Sequence, residues 1–426
     1  MYGGYLAVLL ALAHLVSFID RHLIGVLLEP IKAHYGLSDA ALGLLQGTSF
    51  VLLYSLAALP LGVAADRVSR RSLIIAGLSI WSIATALCGL AVSVPGLFAA
   101  RVVVGLGEAA LVPAAMSLLA AQFPRSRLGR AVSLFTAGAS LGKSAALAGG
   151  GALLGWFAVR GGWGPLAPWQ AVFVAMALPG LLLALAMLTL REPERSTPPA
   201  YLRLVGEALA HLRGLASAWL LHGGSAACIV LVLQTLAGWA PSFYARAFEL
   251  TPGQAGVATG TVLLIAAPAG HLCGGALTDW LGRRSAAPAA PVMAFALVMG
   301  MVGLAVMLRA PTETLSMTGF GLFSFGVTLG SPAALAGVQL LAPDRLRGVL
   351  TAVFLAGTAL IGIGVGPVLV GLTSDATGQL GDALGRVLGA VSVLGVCLAL
   401  ASRRPFARAN LTEPDTGRKD VQTSHL

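Results

Sequence analysis

Twelve stretches of about 20 or more mainly apolar residues recur along the chain, centred near residues 15, 52, 82, 109, 142, 180, 229, 265, 297, 327, 361 and 392. At a rise of about 1.5 Å per residue, about 20 residues cross the hydrocarbon layer of a bilayer as a helix. Lipid offers no water to a backbone N–H or C=O, so only helices and closed barrels span it. The runs lack the polar–apolar alternation of barrel strands, which leaves helices. Composition agrees: 57% of the 426 residues are apolar and 10% charged, with a mean hydropathy of +0.87, whereas soluble domains carry about 25% charged residues. The sequence predicts an all-α membrane protein that crosses the bilayer twelve times.

Basic residues set the orientation. With both termini in the cytoplasm, nineteen of the 27 Lys and Arg residues fall in cytoplasmic segments and five, Lys32, Arg160, Arg246, Arg309 and Arg386, fall outside. This positive-inside bias accounts for the net charge of +10 without any nucleic-acid partner. The remaining three, Arg21, Arg101 and Lys143, lie within spans. The first run exceeds a signal-peptide core and has no AxA site, so it is expected to be a retained helix. A polar stretch containing REPERSTPP separates six runs from six. The expected division is a bundle over 1–190, a cytoplasmic linker over 191–214, a second bundle over 215–402 and a disordered cytoplasmic tail over 403–426. Arg outnumbers Lys 24 to 3 and no long soluble domain interrupts the spans, a composition that points to a bacterial inner membrane. Cys88, Cys228, Cys273 and Cys397 all lie in apolar runs without CxxC spacing and are read as small core residues, not metal ligands.

The two halves repeat. GVAADRVSRR at 62–71 matches GALTDWLGRR at 275–284, and GRAVSLF at 129–135 matches GVLTAVF at 348–354. Two six-helix bundles of the same topology place a substrate cavity between them and let one rock against the other.

Intramembrane charge is concentrated in the first half. Asp20 and Arg21 interrupt VSFIDRHLIG, and each such residue at mid-membrane costs roughly 2.5–3.5 kcal/mol unless compensated. Being adjacent, they point about 100° apart and need different partners. Arg101 and Glu108 are seven residues apart, two turns along one face and too far for a tight direct pair. Shifted by the repeat interval, they land on Phe320 and Val327, so the tenth span carries no charge. A desolvated carboxylate near an arginine suits a reversible proton carrier. Asp20 and Glu108 are therefore the expected proton-handling pair, with Arg21 and Arg101 as their modulators.

Those motifs carry a resemblance. Gly62, Asp66, Arg67, Arg70 and Arg71 match the signature between the second and third helices of the major facilitator superfamily, and Asp279, Arg283 and Arg284 match its second copy, where Trp280 stands in place of the Arg. The resemblance implies a twelve-helix fold and a conformational latch at these eight residues, weaker in the second copy. FIDR at 18–21, GLLQG at 43–47, ADRVSRR at 65–71 and RVVVGLGEA at 101–109 are similar to the Spinster subgroup, which includes exporters of sphingosine phosphate and transporters of lysophospholipids. Lys143, in AGASLGKSA, departs from that subgroup.

Further cavity candidates are Lys143, His22, Gln234, Trp239 and Tyr244. Lys143 suits an anionic head group equally with snorkelling or pairing to an acid. Trp239 and Tyr244 fit a cavity wall or an interfacial belt, and His14, His22, His222 and His271 fit titrating groups or hydrogen-bonded helix contacts. Gly138, Gly142 and Gly149–Gly151, then Gly357, Gly362, Gly364 and Gly366 before Pro367, permit close helix approach in spans five and eleven. The sequence has no HExxH, GxSxG or GxxxxGK[ST], so an enzyme and an intrinsic ATPase are not expected. The reading is a monomeric proton-coupled carrier without cofactor, working by alternating access on an amphipathic lipid-like anion, such as a lysophospholipid, or an organic anion. A broad drug or small-anion carrier and an uncoupled facilitator are the alternatives.

Overall fold

The computed structural model describes residues 2–192 and 201–412. Helices α1 (Tyr2–Tyr35), α2 (Asp39–Gly43) running through a π turn at Leu44–Thr48 into α3 (Ser49–Arg67), α4 (Arg70–Leu90), α5 (Val94–Glu108) with α6 (Leu111–Gln122), α7 (Arg125–Val159) and α8 (Pro168–Met187) make six membrane passes. After a short helix, α9 (Tyr201–Gly214), six more follow: α10 (Ala216–Ala247), α11 (Pro252–Gly282), α12 (Ala289–Arg309), α13 (Glu313–Leu341), α14 (Arg347–Gly364) with α15 (Gly366–Thr377), and α16 (Leu380–Thr412). Among the described residues eleven of these passes are long and apolar enough to cross a membrane by themselves. The other, α7, is 35 residues long but is diluted by glycines and Lys143. Six passes per half put the start of α1 and the end of α16 on one face, called here the termini face.

Proline explains two of the breaks. Pro113 has no N–H for the Ala109 carbonyl and crowds it, and α5 stops at Glu108 just before that point. Pro367 does the same to Ile363, and the ladder breaks at Val365 between α14 and α15. A neighbouring pass repairs that break: Thr48, at the end of the π turn, donates to the Gly364 carbonyl at 2.7 Å.

Small residues bring the backbones together. A Cβ on Gly138 would run into the Ala11 carbonyl, so α7 lies directly on α1. A Cβ on Gly151 would stand 2.6 Å from the Gly253 carbonyl and one on Gly253 2.9 Å from the Gly151 carbonyl, which seats α7 of the first half on α11 of the second. These cross-half contacts lie at the face away from the termini, where α7 ends and α11 begins. On the termini side of both helices, Leu134, Leu141, Ile265 and Leu272 are exposed.

Two expected boundaries shift. Residues 403–412 were expected to be disordered but continue α16, because Phe406 and Ala409 are buried against Trp219, Leu346 and Leu350, an apolar face not recognised in the sequence. The expected linker contains α9, whose Leu204, Ala208 and Leu212 pack on that cluster. The rest of the linker's core, 193–200, and the tail from 413 lie outside the described residues. Cys88 and Cys228 are buried as expected, whereas Cys273 and Cys397 are exposed.

Gly105→Ala is expected to destabilise the fold by about 1–3 kcal/mol, because the new methyl meets the Phe50 carbonyl, a backbone atom that cannot turn aside. Gly149→Ala, with nothing within 4 Å, is the control and should melt like the parent. Fluorescence-detected melting in detergent checks both.

Candidate functional site

The intramembrane charges meet where α1 crosses α5. Arg21 Nη2 donates to Glu108 Oε2 at 2.8 Å and its Nε to the same oxygen at 3.3 Å, while Ser17, one turn earlier on α1, adds a bond of 2.8 Å. Phe18, Phe50 and Tyr54 surround the Arg21 guanidinium with ring centroids 4.6–4.7 Å away. Delocalised charge over ring faces is stabilised without water, which lets this cation sit among apolar neighbours.

Asp20 points elsewhere, as the 100° step requires. It is 1% exposed, and neither carboxylate oxygen has a hydrogen-bond partner. The nearby indole N–H of Trp81 is also unbonded. Ionised, such a group would carry a desolvation cost of several kcal/mol, with only the Trp81 indole and the buried Arg101 charge close enough to offset it.

Arg101 is fully buried and was expected to act on the carboxylates. Its hydrogen bonds go instead to the main chain of α1: Nη1 donates to Asp20 O at 3.0 Å and Nη2 to Arg21 O at 2.7 Å. It therefore grips the turn that carries both residues, and its charge lies beside the carboxylates without bonding either. Two turns separate it from Glu108, too far for a pair, as the spacing implied.

A second group joins the halves at mid-membrane. Lys143 Nζ on α7 donates to Gln234 Oε1 on α10, and Gln234 Nε2 lies 3.3 Å from His22 Nε2 on α1. Lys143, His22 and Gln234 are each only partly buried, as is Arg21. Polar side chains from both halves thus converge on a partly buried region next to the Arg21–Glu108 pair. Trp239 and Tyr244, also offered as cavity lining, are fully buried instead: the Trp239 indole donates to Pro367 O at 3.3 Å and the Tyr244 hydroxyl accepts from Ser316 at 3.1 Å, both within the packed second half. His14 and His222 bond the carbonyls of Phe135 and Ala334, at 2.9 and 2.8 Å, and act as helix contacts.

The latch residues sit on the termini face. Gly62 and Arg67 close α3, Arg70 and Arg71 open α4, and Asp279, Arg283 and Arg284 close or follow α11; the Asp66 side chain lies outside the described residues. In the second copy Arg284 stacks on Trp280 at 4.2 Å, so the tryptophan that replaces the motif's arginine gives its neighbour an aromatic face. Glu192 was missed in the sequence. Its carboxylate accepts from Ser69 Oγ at 2.9 Å and from the N–H groups of Arg71 and Arg70 at 3.0 and 3.2 Å, capping α4, while Arg71 Nη1 donates to Leu190 O at 2.9 Å. Partial burial pushes the Glu192 carboxyl up, but those donors together hold it below the usual range. A carboxylate five residues past the end of α8, facing a helix start, was the available signal.

A two-fold helical bundle, with charges confined to one half and polar groups bridging the halves at mid-membrane, defines a membrane carrier rather than an enzyme. The Major Facilitator Superfamily profile matches residues 10–367, and the chain belongs to that family. It is 29% identical over 405 residues to an MFS-type efflux pump of Mycolicibacterium smegmatis, covering 93% of this chain and 91% of that one. It is 22% identical to protein spinster of Drosophila melanogaster over 302 residues, 68% of this chain and 48% of that one. A bacterial homologue of the human lysosomal transporter Spinster, solved inward-facing and unoccupied, superposes with a TM-score of 0.81 at 26% identity, covering 96% of this chain and 97% of that one. The Spinster-like character read from the motifs holds across the whole fold.

Glu192→Gln is expected to lower stability by about 0.5–1 kcal/mol at neutral pH. Because the folded carboxyl titrates below its unfolded value of about 4.3, its contribution is present above that pH and fades as pH falls through the folded value. The melting difference between parent and variant should therefore be clear at pH 7 and shrink toward pH 3.

Proposed function

We propose that this chain is a proton-coupled secondary transporter that moves an amphipathic, lipid-like or organic anion by alternating access. The observation that carries the reading is Asp20: a carboxyl group 1% exposed, with both oxygens unbonded, beside an Arg21–Glu108 pair that is fully bonded on one oxygen. A group so placed is tolerable when it carries a proton, and the proton must leave when the site is wetted from the other side. Asp20 is the exchanging carrier and Glu108 its partner, with Arg21 holding Glu108 and the Arg101 charge lying beside both. Loss of charge at this wall of the first half lowers the barrier to rocking. The proton gradient then drives transport without a cofactor.

The substrate's anionic end sits at Lys143, whose ammonium is held by a neutral amide from the other half and not by an acid. A carboxylate or phosphate offers it a stronger, charge-assisted bond, which loosens the Lys143–Gln234 bridge as the substrate enters. The substrate's apolar part meets the second half, where the tenth pass has no charge. With both termini cytoplasmic, as the basic residues favour, the closed face is the outer one and the structure is open inward. The membrane is a bacterial inner membrane and the carrier a monomer. A broad drug carrier is the second reading, favoured by the similarity to an efflux pump.

Proteoliposomes loaded with a pH dye, challenged in turn with lysophospholipids, sphingoid phosphates and small organic anions, test the coupling. Substrate-triggered proton flux is expected from the parent and none above background from Asp20→Asn or Glu108→Gln; flux intact in both variants would refute it. Lys143→Met is expected to cut transport of an anionic amphiphile roughly ten- to hundredfold, the weight of one charge-assisted hydrogen bond, while sparing a neutral or cationic drug. Equal loss for all substrates would remove Lys143 from substrate recognition.

A further inference from the structure

We infer that Asp39 is the hub of a lock that holds the two halves together at the face away from the termini. Asp39 is the first residue of α2 and is 3% exposed, and four donors converge on its carboxylate. Two come from Arg246 in the last turn of α10: Nη1 donates to Oδ2 at 2.6 Å and Nη2 to Oδ1 at 2.8 Å. Ser374 of α15 adds a bond of 2.6 Å to Oδ2, and Lys32 of α1 one of 2.6 Å to Oδ1. Arg246 also binds Glu29 of α1, with Nε 2.9 Å from Oε1. The reverse contact completes the joint. Asp375 of α15 accepts from the backbone N–H groups of Asp39 and Ala40 at 2.8 and 2.9 Å, so the first turn of α2 is capped by a residue from the opposite half.

The arrangement is built for separation. Glu29, Lys32 and Asp39 belong to the first half; Arg246, Ser374 and Asp375 belong to the second. A bidentate arginine–carboxylate pair is strong and directional, and it lapses as a unit once the geometry opens. When the halves part, Lys32 stays beside Asp39 and keeps its charge compensated, so release does not strand a bare carboxylate. Asp39 adopts this position because Ser38 caps α2 through Ala41 N at 3.2 Å and leaves the Asp39 side chain free to face the second half.

This inference rests on the alternating-access reading, and the test separates the two. In a variant with its four cysteines replaced by alanine, spin labels are placed at Ala33 and Ala376, exposed positions at the locked face, and in a second sample at Gly129 and Gly348, which open α7 and α14 on the termini face. Electron–electron distance distributions are then compared between that background and Asp39→Asn in nanodiscs. The lock predicts a new longer-distance component for the Ala33–Ala376 pair and a matching shorter one for the Gly129–Gly348 pair. Unchanged distributions at both faces would overturn the lock, whatever transport does. Lengthening at the locked face without shortening at the other would uphold the lock and contradict alternating access. Asp375→Asn, which removes the cap from the other side and leaves the Asp39 carboxylate in place, should shift both pairs the same way to a smaller extent. If Asp39→Asn does not yield monodisperse protein, that variant decides between the same outcomes.

Discussion

The Arg21–Glu108 ion pair is the interaction on which the rest of the first half depends. In a low-dielectric slab, a bonded pair of opposite charges is tolerable and a lone one is not. Glu108 can be partnered only if α1 presents Arg21 at the right height, and Arg101 secures that height by holding the carbonyls of Asp20 and Arg21. The close approach of Gly105 to Phe50 seats α5 on α3, whose Phe50 and Tyr54 rings face the Arg21 guanidinium. With Arg21 committed to Glu108, Asp20 is left facing away with no partner, and a structural necessity becomes a place where a proton can be held.

The passes were legible in the sequence because the thickness of a bilayer is a one-dimensional constraint, and a run of apolar residues meets or fails it without knowledge of its neighbours. Direction on a helix is legible too: adjacency said that Asp20 and Arg21 would part company, and they do. Partnership is another matter. Arg21 and Glu108 are 87 residues apart, and Asp39 and Arg246 are 207 apart. Nothing local marks which distant charge completes which. Arg246 counted as one more base on the outside, and Asp39 did not stand out, because a charged residue at a helix end looks alike whether it meets water or a second domain.

Amphipathic residues misled for a related reason. Trp239 and Tyr244 have the chemistry of a cavity wall, yet their polar tips are satisfied by Pro367 O and Ser316 inside the second bundle. Phe406 lay in a stretch read as tail, since one aromatic among arginines shows no periodic face until Trp219 and Leu350 are brought beside it. Glu192 was legible only as part of a polar linker, although its position just past a helix is what lets it cap α4.

Bonds thus cross between the halves at Lys143–Gln234–His22, at Thr48–Gly364 and at the Asp39 cluster on the face away from the termini, while the proposed proton site is confined to the first half. In the proposed cycle that separation lets protonation act on one wall of the cavity while the closed face is held by a separate group of charges. The most direct measurement is an infrared difference spectrum recorded on adding substrate, with parent and Asp20→Asn proteins compared. The account predicts a protonated-carboxyl band that changes on substrate addition in the parent and is missing from the variant. The same band in both proteins would place the exchanging proton elsewhere and contradict the account.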